Sequence, residues 1–263
     1  MSSRVVRGAD SVRGLLAMGF GFGHVQVVAV NIDGVLLSDS FGPVIHQFVV
    51  GRGGVFSAGL ERAVLSQSQV GAAGVLGSVV PGLAGLGAEE VRRLYFRERE
   101  EFVRRCPVRV EEGVGELLVR LRAAGASVVC YGGLRREHFD RYLGGFASLF
   151  DGPGYVCTDG FRPGVREIAE VFGVGCGRVL FIDDVARVGE AARDAGAAFI
   201  GRPSSFVHSY QRRLMAEAGV RHVVGSLGEI DERLLRVVDA EAAAGLVWGA
   251  RAGRHGGRVP AMA

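Results

Sequence analysis

Lysine does not occur in this chain; all 31 basic side chains are arginine. The absence excludes a lysine Schiff base, a lysine-anchored pyridoxal cofactor and a Walker-type phosphate loop. A codon bias towards Ala, Gly, Val and Arg accounts for it. Cysteine is sparse: Cys106, Cys130, Cys157 and Cys176 form no C-x-x-C pair, and no His stands at zinc-ligand spacing to them. They read as reduced thiols of a cytoplasmic protein. No block of five or six basic residues occurs and the net charge is only +3, so nothing electrostatic argues for nucleic acid. Long apolar runs are missing too. "LLAMGFGFG" is short and has no A-x-A-like site after it, so neither a signal peptide nor a membrane span is expected. There is no G-x-S-x-G elbow. "GFGFG" and "GVGCG" precede strands rather than following them, which is the wrong context for a dinucleotide fingerprint.

What the chain does have is apolar residues, 48 % of the total, and 42 glycines: enough for a large core and many turns. Val25–Val30 reads as a strand buried on both faces. Residues 41–106 change character. "AGLERAVLSQSQVGAAGVL" and "AEEVRRLYFREREEFVRR" are helical by periodicity, with no strong strand between them. From 107 a second rhythm begins: helix from Val114, strand "ASVVCYGG", helix "REHFDRYLGGFASLF", short strand "YVCTDG", helix "GVREIAEVFGV", strand "RVLFIDD", then "VGEAARDAGAAFIG" as helix and strand. Strands alternating with helices predict a doubly wound α/β parallel sheet. The expected organisation is a loose arm over 1–23, a core from 24–40 and 107–225, a helical insert over 41–106, and a C-terminal helix and tail over 226–263.

Ligands of open parallel sheets bind at the carboxyl ends of the strands. Here one strand ends at Asn31 and Asp33, a second at Tyr131-Gly132-Gly133, a third at Asp183-Asp184. Acids converging on one edge repel unless a cation lies among them, and hard oxygen ligands suit Mg²⁺. A lone Asp at a strand end also serves simply as a helix cap.

In order and spacing, "NIDGV", "VVCYGG", "FRPG" and "FIDDVARVGEAARDAG" resemble the haloacid dehalogenase (HAD) superfamily, largely Mg²⁺-dependent phosphohydrolases, over about residues 25–225. The family pattern is D-x-D-G-[TV], a Ser or Thr ending the second core strand, a Lys often in "KP", and one or two acids after an apolar strand. The resemblance implies a Rossmann-like core with a helical cap inserted after the first strand. It implies Asp33 as general acid/base, a metal held by residue 31 with Asp33, Asp183 and Asp184, and a small phosphorylated substrate. The departures are as telling. Asn31 stands where the attacking carboxylate belongs, and a carboxamide is a poor nucleophile. Tyr131, or Cys130 if the match shifts by one, takes the Ser/Thr position beside Gly132 and Gly133. Arg162, followed by Pro163, takes the Lys position. His46, in "FGPVIHQF" just after the first motif, is a candidate substrate contact or a helix-surface His. The expected function is a HAD-like hydrolase of a small phosphorylated metabolite, inactive or trapped as written. Two alternatives stand beside it: a repurposed enzyme of non-phosphoryl chemistry, and a non-catalytic binding protein.

Overall fold

The structure, a computed structural model, describes residues 20–249. Six strands form one parallel sheet: β1 (Val27–Asn31), β2 (Ser127–Gly132), β3 (Tyr155–Cys157), β4 (Val179–Asp183), β5 (Ala198–Gly201) and β6 (His222–Val223), in the order β3-β2-β1-β4-β5-β6. β1, β2, β4 and β5 are built from β-branched and aromatic residues packed on both faces, as interior strands of a covered sheet require. Side chains alternate across the sheet. Val28, Val30, Val128, Cys130, Leu180 and Ile182 belong to one core cluster, which also takes in Leu117, Leu121 and Val238. Val27, Ala29, Val129, Tyr131, Val179 and Phe181 belong to the other, with Ile168, Val188 and Met215. The first cluster is covered by α5 (Val114–Ala123) and α10 (Glu232–Ala244), the second by α7 (Val165–Val171), α8 (Ala186–Asp194) and α9 (Gln211–Ala218). Helix α6 (Arg136–Leu143) follows β2.

Between β1 and α5 lie α1 (Gly42–Val50), α2 (Ala58–Val64), α3 (Gln69–Val79) and α4 (Ala88–Arg105). They share an apolar cluster of their own, including Phe48, Val64, Leu76, Leu83, Val91 and Tyr95. Helix α4 carries Glu89 and Glu90 in its first turn and Arg104 and Arg105 in its last, which complements the helix dipole. Ser57 and Ser68 cap α2 and α3 by accepting from Leu60 N and Gly71 N.

Several elements differ from the sequence expectation. The helix expected over "REHFDRYLGGFASLF" ends at Leu143, and Gly144–Leu149 continues as a 3₁₀ helix; the Gly144-Gly145 pair disfavours regular α-helix. Helix α9 is an addition to what the sequence suggests. The arm expected over 1–23 lies outside the described residues except for its end. There Phe20 packs into the core, Phe22 N donates to Ala124 O, and Gly23, His24 and Val25 all donate backbone N–H groups to the Asp239 carboxylate. The tail expected over the last dozen residues lies outside the described residues. No described helix is long and apolar enough to cross a membrane.

Candidate functional site

The strand order reverses at β1, which puts a crevice at the carboxyl ends of β1 and β4. Asn31 closes β1 and Asp183 closes β4. After Asn31 the chain turns tightly: Leu37 N donates to Ile32 O at 2.8 Å and Gly34 N to Leu37 O at 2.9 Å. Val35, Leu36 and Leu37 are fully buried and anchor the turn. Gly34 has φ +88°, and a Cβ there would overlap the Asp184 carboxylate. Glycine is therefore needed both for the conformation and for the approach of the β4 end.

Asn31 is buried. Its Nδ2 donates to Asp184 Oδ1 at 2.8 Å and to the Asp33 carbonyl at 2.8 Å. Tyr131 pairs in register with Asn31, and its hydroxyl donates a short hydrogen bond to Asp183 Oδ2. β2 and β4 flank β1, so the phenol reaches across β1 to make that bond. Asp183 Oδ1 accepts from Val185 N at 2.7 Å. Burial lifts the Asp183 pKa to about 6, opposed by the Tyr131 and Val185 hydrogen bonds and by the Arg162 charge. Burial, then Asp183 and Asp39, push Asp184 well above the usual carboxylate range, with the Asn31 amide opposing.

The donor set does not suit the divalent cation that the resemblance implies. Both Asp183 oxygens already accept protein hydrogen bonds, Asp184 Oδ1 takes the Asn31 amide, and Asn31 presents N–H rather than oxygen to the acids. Among the described residues no three His, Cys, Asp or Glu side chains come together as a metal-binding group. Tyr131 itself is fully buried against Phe181 and stays out of the cleft lining, so it does not stand as the substrate contact that its Ser/Thr position suggests. Cys130 is one residue earlier and so on the opposite face of the sheet, in the core cluster with Val30 and Ile182. Burial and the Asp33 charge raise its thiol pKa well above the ordinary value, which keeps it a neutral packing residue.

Asp33 faces the cleft, held by two basic groups. His138 Nε2, from α6, lies 2.9 Å from Asp33 Oδ1. Arg99, from α4, lies 3.9 Å away, anchored by Ser40 Oγ at 2.7 Å and stacked over Phe41 at 4.4 Å. The cleft lies between the sheet edge and helices α1–α4 and encloses about 120 Å³. That approaches the roughly 150 Å³ of a cavity that admits benzene. Its polar wall includes Asn31, Asp33, Asp184, Gly133 and Arg162; its apolar wall includes Ile45, Val64, Leu76 and Phe96. Arg162 lies against Gly133, where a Cβ would collide with its guanidinium. Its Nε is buried without a hydrogen-bond partner, and no ion pair engages it among the described residues. Gly132, by contrast, is buried beneath Ile32, and its carbonyl accepts from Thr158 N and Thr158 Oγ1. Gln69 reaches from α3 to Gly133 O at 2.9 Å, and its N–H binds Asp159 at 2.8 Å, which ties the helices to the sheet edge.

His46 does not line the cleft, and it is not a bare surface residue either. It stacks on His208 at 4.2 Å, with Phe56 and Phe206 edge-on. Phe41, Gly42 and Ile45 of the same segment do face the cleft. Sequence reasoning missed Arg99, His138, Gln69 and Glu61, whose buried carboxylate accepts from Ser209 Oγ and Tyr210 N at 3.0 and 2.7 Å. Arg99 carried a readable signal: it continues the Val91, Tyr95 stripe at spacing four, an arginine on the buried face of its helix. His138 carried none.

No protein-family model matches the chain, and no curated protein sequence matches it significantly. Solved structures do. A phosphonoacetaldehyde hydrolase-like protein from Oleispira antarctica superposes with a TM-score of 0.63 at 15 % identity, over 87 % of this chain and 98 % of that one. A β-phosphoglucomutase from Clostridium difficile gives 0.60 at 13 %, over 84 % and 99 %. A HAD family hydrolase from Deinococcus radiodurans, solved with phosphate and sodium bound, gives 0.53 at 22 %, over 86 % and 99 %. The parallel six-stranded sheet and its helices are thus the Rossmann-like fold of haloacid dehalogenase-type hydrolases.

Proposed function

We propose that this chain is a hydrolase-type HAD protein that takes a small phosphorylated metabolite into the cleft beneath a cap formed by α1–α4, and that its hydrolysis is silenced at residue 31. The observation that carries the reading is Arg162. Its guanidinium borders the cleft beside Gly133 with no ion pair among the described residues, and its Nε is buried unbonded. An anion in the cleft gives the guanidinium the partner it lacks, and guanidinium matches phosphate geometry. The volume suits a body of a few carbons. Asn31 supports the second half: a carboxamide has no carboxylate to attack phosphorus, so no aspartyl-phosphate forms, and its nitrogen is committed to Asp184 and Asp33. Phosphate monoesters are among the slowest substrates to hydrolyse uncatalysed, and positioning alone does not replace the covalent route. The free thiols accord with a cytoplasmic protein.

The test is calorimetric titration with inorganic phosphate and small phosphate esters, beside an aryl-phosphate assay. The wild type is expected to bind but not turn over. Arg162→Met should weaken binding by roughly 10- to 100-fold, the value of a lost charge-assisted contact. Equal affinity in both forms overturns the binding reading; brisk wild-type turnover overturns the silencing.

One observation favours a second reading, a repurposed enzyme. Asp33 lines the cleft, paired with His138 and flanked by Arg99, with no need of residue 31. It offers an acid/base couple for non-phosphoryl chemistry. Turnover of a carbonyl or ester substrate that disappears in Asp33→Asn would select this reading over the first.

A further inference from the structure

We infer that the Asn31 carboxamide stands in for the divalent cation, so that this site binds its anion without metal. The inference rests on the anion-binding reading above and deepens it.

Two acceptors converge on Asn31 Nδ2: the Asp184 carboxylate and the Asp33 carbonyl, each at 2.8 Å. One comes from the end of β4 and one from the turn after β1, and a centre of hydrogen-bond donors or of positive charge between them relieves their mutual repulsion. In this chain that centre is an amide with two protons, one for each acceptor. The remaining acids are matched in the same way. Asp183 takes the Tyr131 hydroxyl on one oxygen and Val185 N on the other. Asp33 takes His138 at 2.9 Å, with Arg99 beyond. Each acid therefore has its own protein donor. A hard cation seeks several free oxygens, carboxylates above all; entering here, it would have to break these contacts and would meet an N–H at Asn31. A ligand anion then relies on Arg162 rather than on a metal.

The packing makes this a built arrangement rather than one residue's change. Tyr131 is fully buried and wedged edge-on against Phe181. Gly34 lets the Asp184 carboxylate press against the turn after β1. Swapping Asn31 alone leaves the Tyr131–Asp183 contact in place. It turns the donor facing Asp184 into a fourth carboxylate, which then needs a shared proton or a cation.

Two measurements on the full chain test this. Inorganic phosphate is titrated into wild-type protein in EDTA and again in millimolar MgCl₂, and thermal unfolding is followed at about pH 8 with and without Mg²⁺ for wild type and Asn31→Asp. The affinity for phosphate should agree within about twofold between the two conditions. Mg²⁺ should leave the wild-type Tm in place and raise that of Asn31→Asp by several degrees, as a ligand that binds only the folded state does. Phosphate binding that tightens tenfold or more with Mg²⁺, or a wild-type Tm that climbs with it, overturns the inference. Absence of phosphate binding in both conditions defeats the functional reading instead, and the Tm comparison still decides the metal question. If Asn31→Asp does not fold, the wild-type arms decide it.

Discussion

Replacing Tyr131 by Phe removes one oxygen and keeps the ring, so it isolates the strap between β2 and β4. The Phe181 edge contact survives; the hydrogen bond to Asp183 does not. Asp183 is fully buried, so the lost donor leaves one carboxylate oxygen bare. A hydrogen bond to a charged group is worth roughly 1.5–3 kcal/mol. At this chain length each kcal/mol moves Tm by roughly 2–4 °C, so the deficit should be about 3–12 °C where Asp183 is ionised. The pH dependence separates this from a packing defect. Burial already raises the Asp183 pKa in the folded state to about 6, so the folded chain holds more protons than the unfolded one. Stability from this group is full below the ordinary carboxylate range and is lost as pH rises through about 6. Without the hydroxyl the folded value climbs further. The variant's Tm deficit should therefore be greatest near pH 8 and shrink near pH 5, where both proteins carry the proton. Circular dichroism melts of both proteins at the two pH values, in EDTA, read it directly. A deficit equal at both pH values, or none at either, refutes the strap.

Gly34→Ala combines a positive φ with overlap on Asp184. It should cost roughly 1–2 kcal/mol for the conformation alone and more for the clash, seen as a Tm loss of several degrees or as insoluble protein. Cys130→Ser puts a hydroxyl into the apolar face of β2 and should cost about 1–3 kcal/mol; phosphate affinity should not change, and a change would return Cys130 to the site. Gln69→Ala removes the side-chain bond to Gly133 O. It should loosen the helices over the cleft, with faster amide exchange in α3 and a stability loss of about 1 kcal/mol; unchanged exchange would show that the other contacts hold the lid.

The sheet was legible because its strands are short β-branched runs separated by helices of ten or so residues, and neither feature depends on distant contacts. β1 and β4 could be read to within a residue or two from "VVAV" and "VLFI". The strand ends could be read too, since a parallel sheet puts its polar loops on one edge. What the sequence does not convey is which group each acid faces. Tyr131 and Asp183 are 52 positions apart, and Asn31 and Asp184 are 153 apart. A motif marks the carboxylates but says nothing of the donors that neutralise them. His138 lies on an ordinary amphipathic helix, and only the fold brings it to Asp33. Strand parity explains the Tyr131/Cys130 ambiguity: a shift of one residue reverses the face, and only the sheet register fixes it.

The double clasp of Asn31 on Asp184 and Tyr131 on Asp183 bears on ancestry. Suppose a forebear carried an aspartate at 31 and a small hydroxyl residue at 131. Reverting position 31 alone sets a carboxylate against Asp184 while the phenol still occupies Asp183. Reverting position 131 alone empties a ring-sized space beneath β1 and strips Asp183 of its donor. Each single step backward would cost stability even where the two together would restore the older chemistry, because substitutions within one contact network do not act independently. The pair behaves as a ratchet: once both changes are fixed, selection acting on one mutation at a time holds the lineage to its newer use.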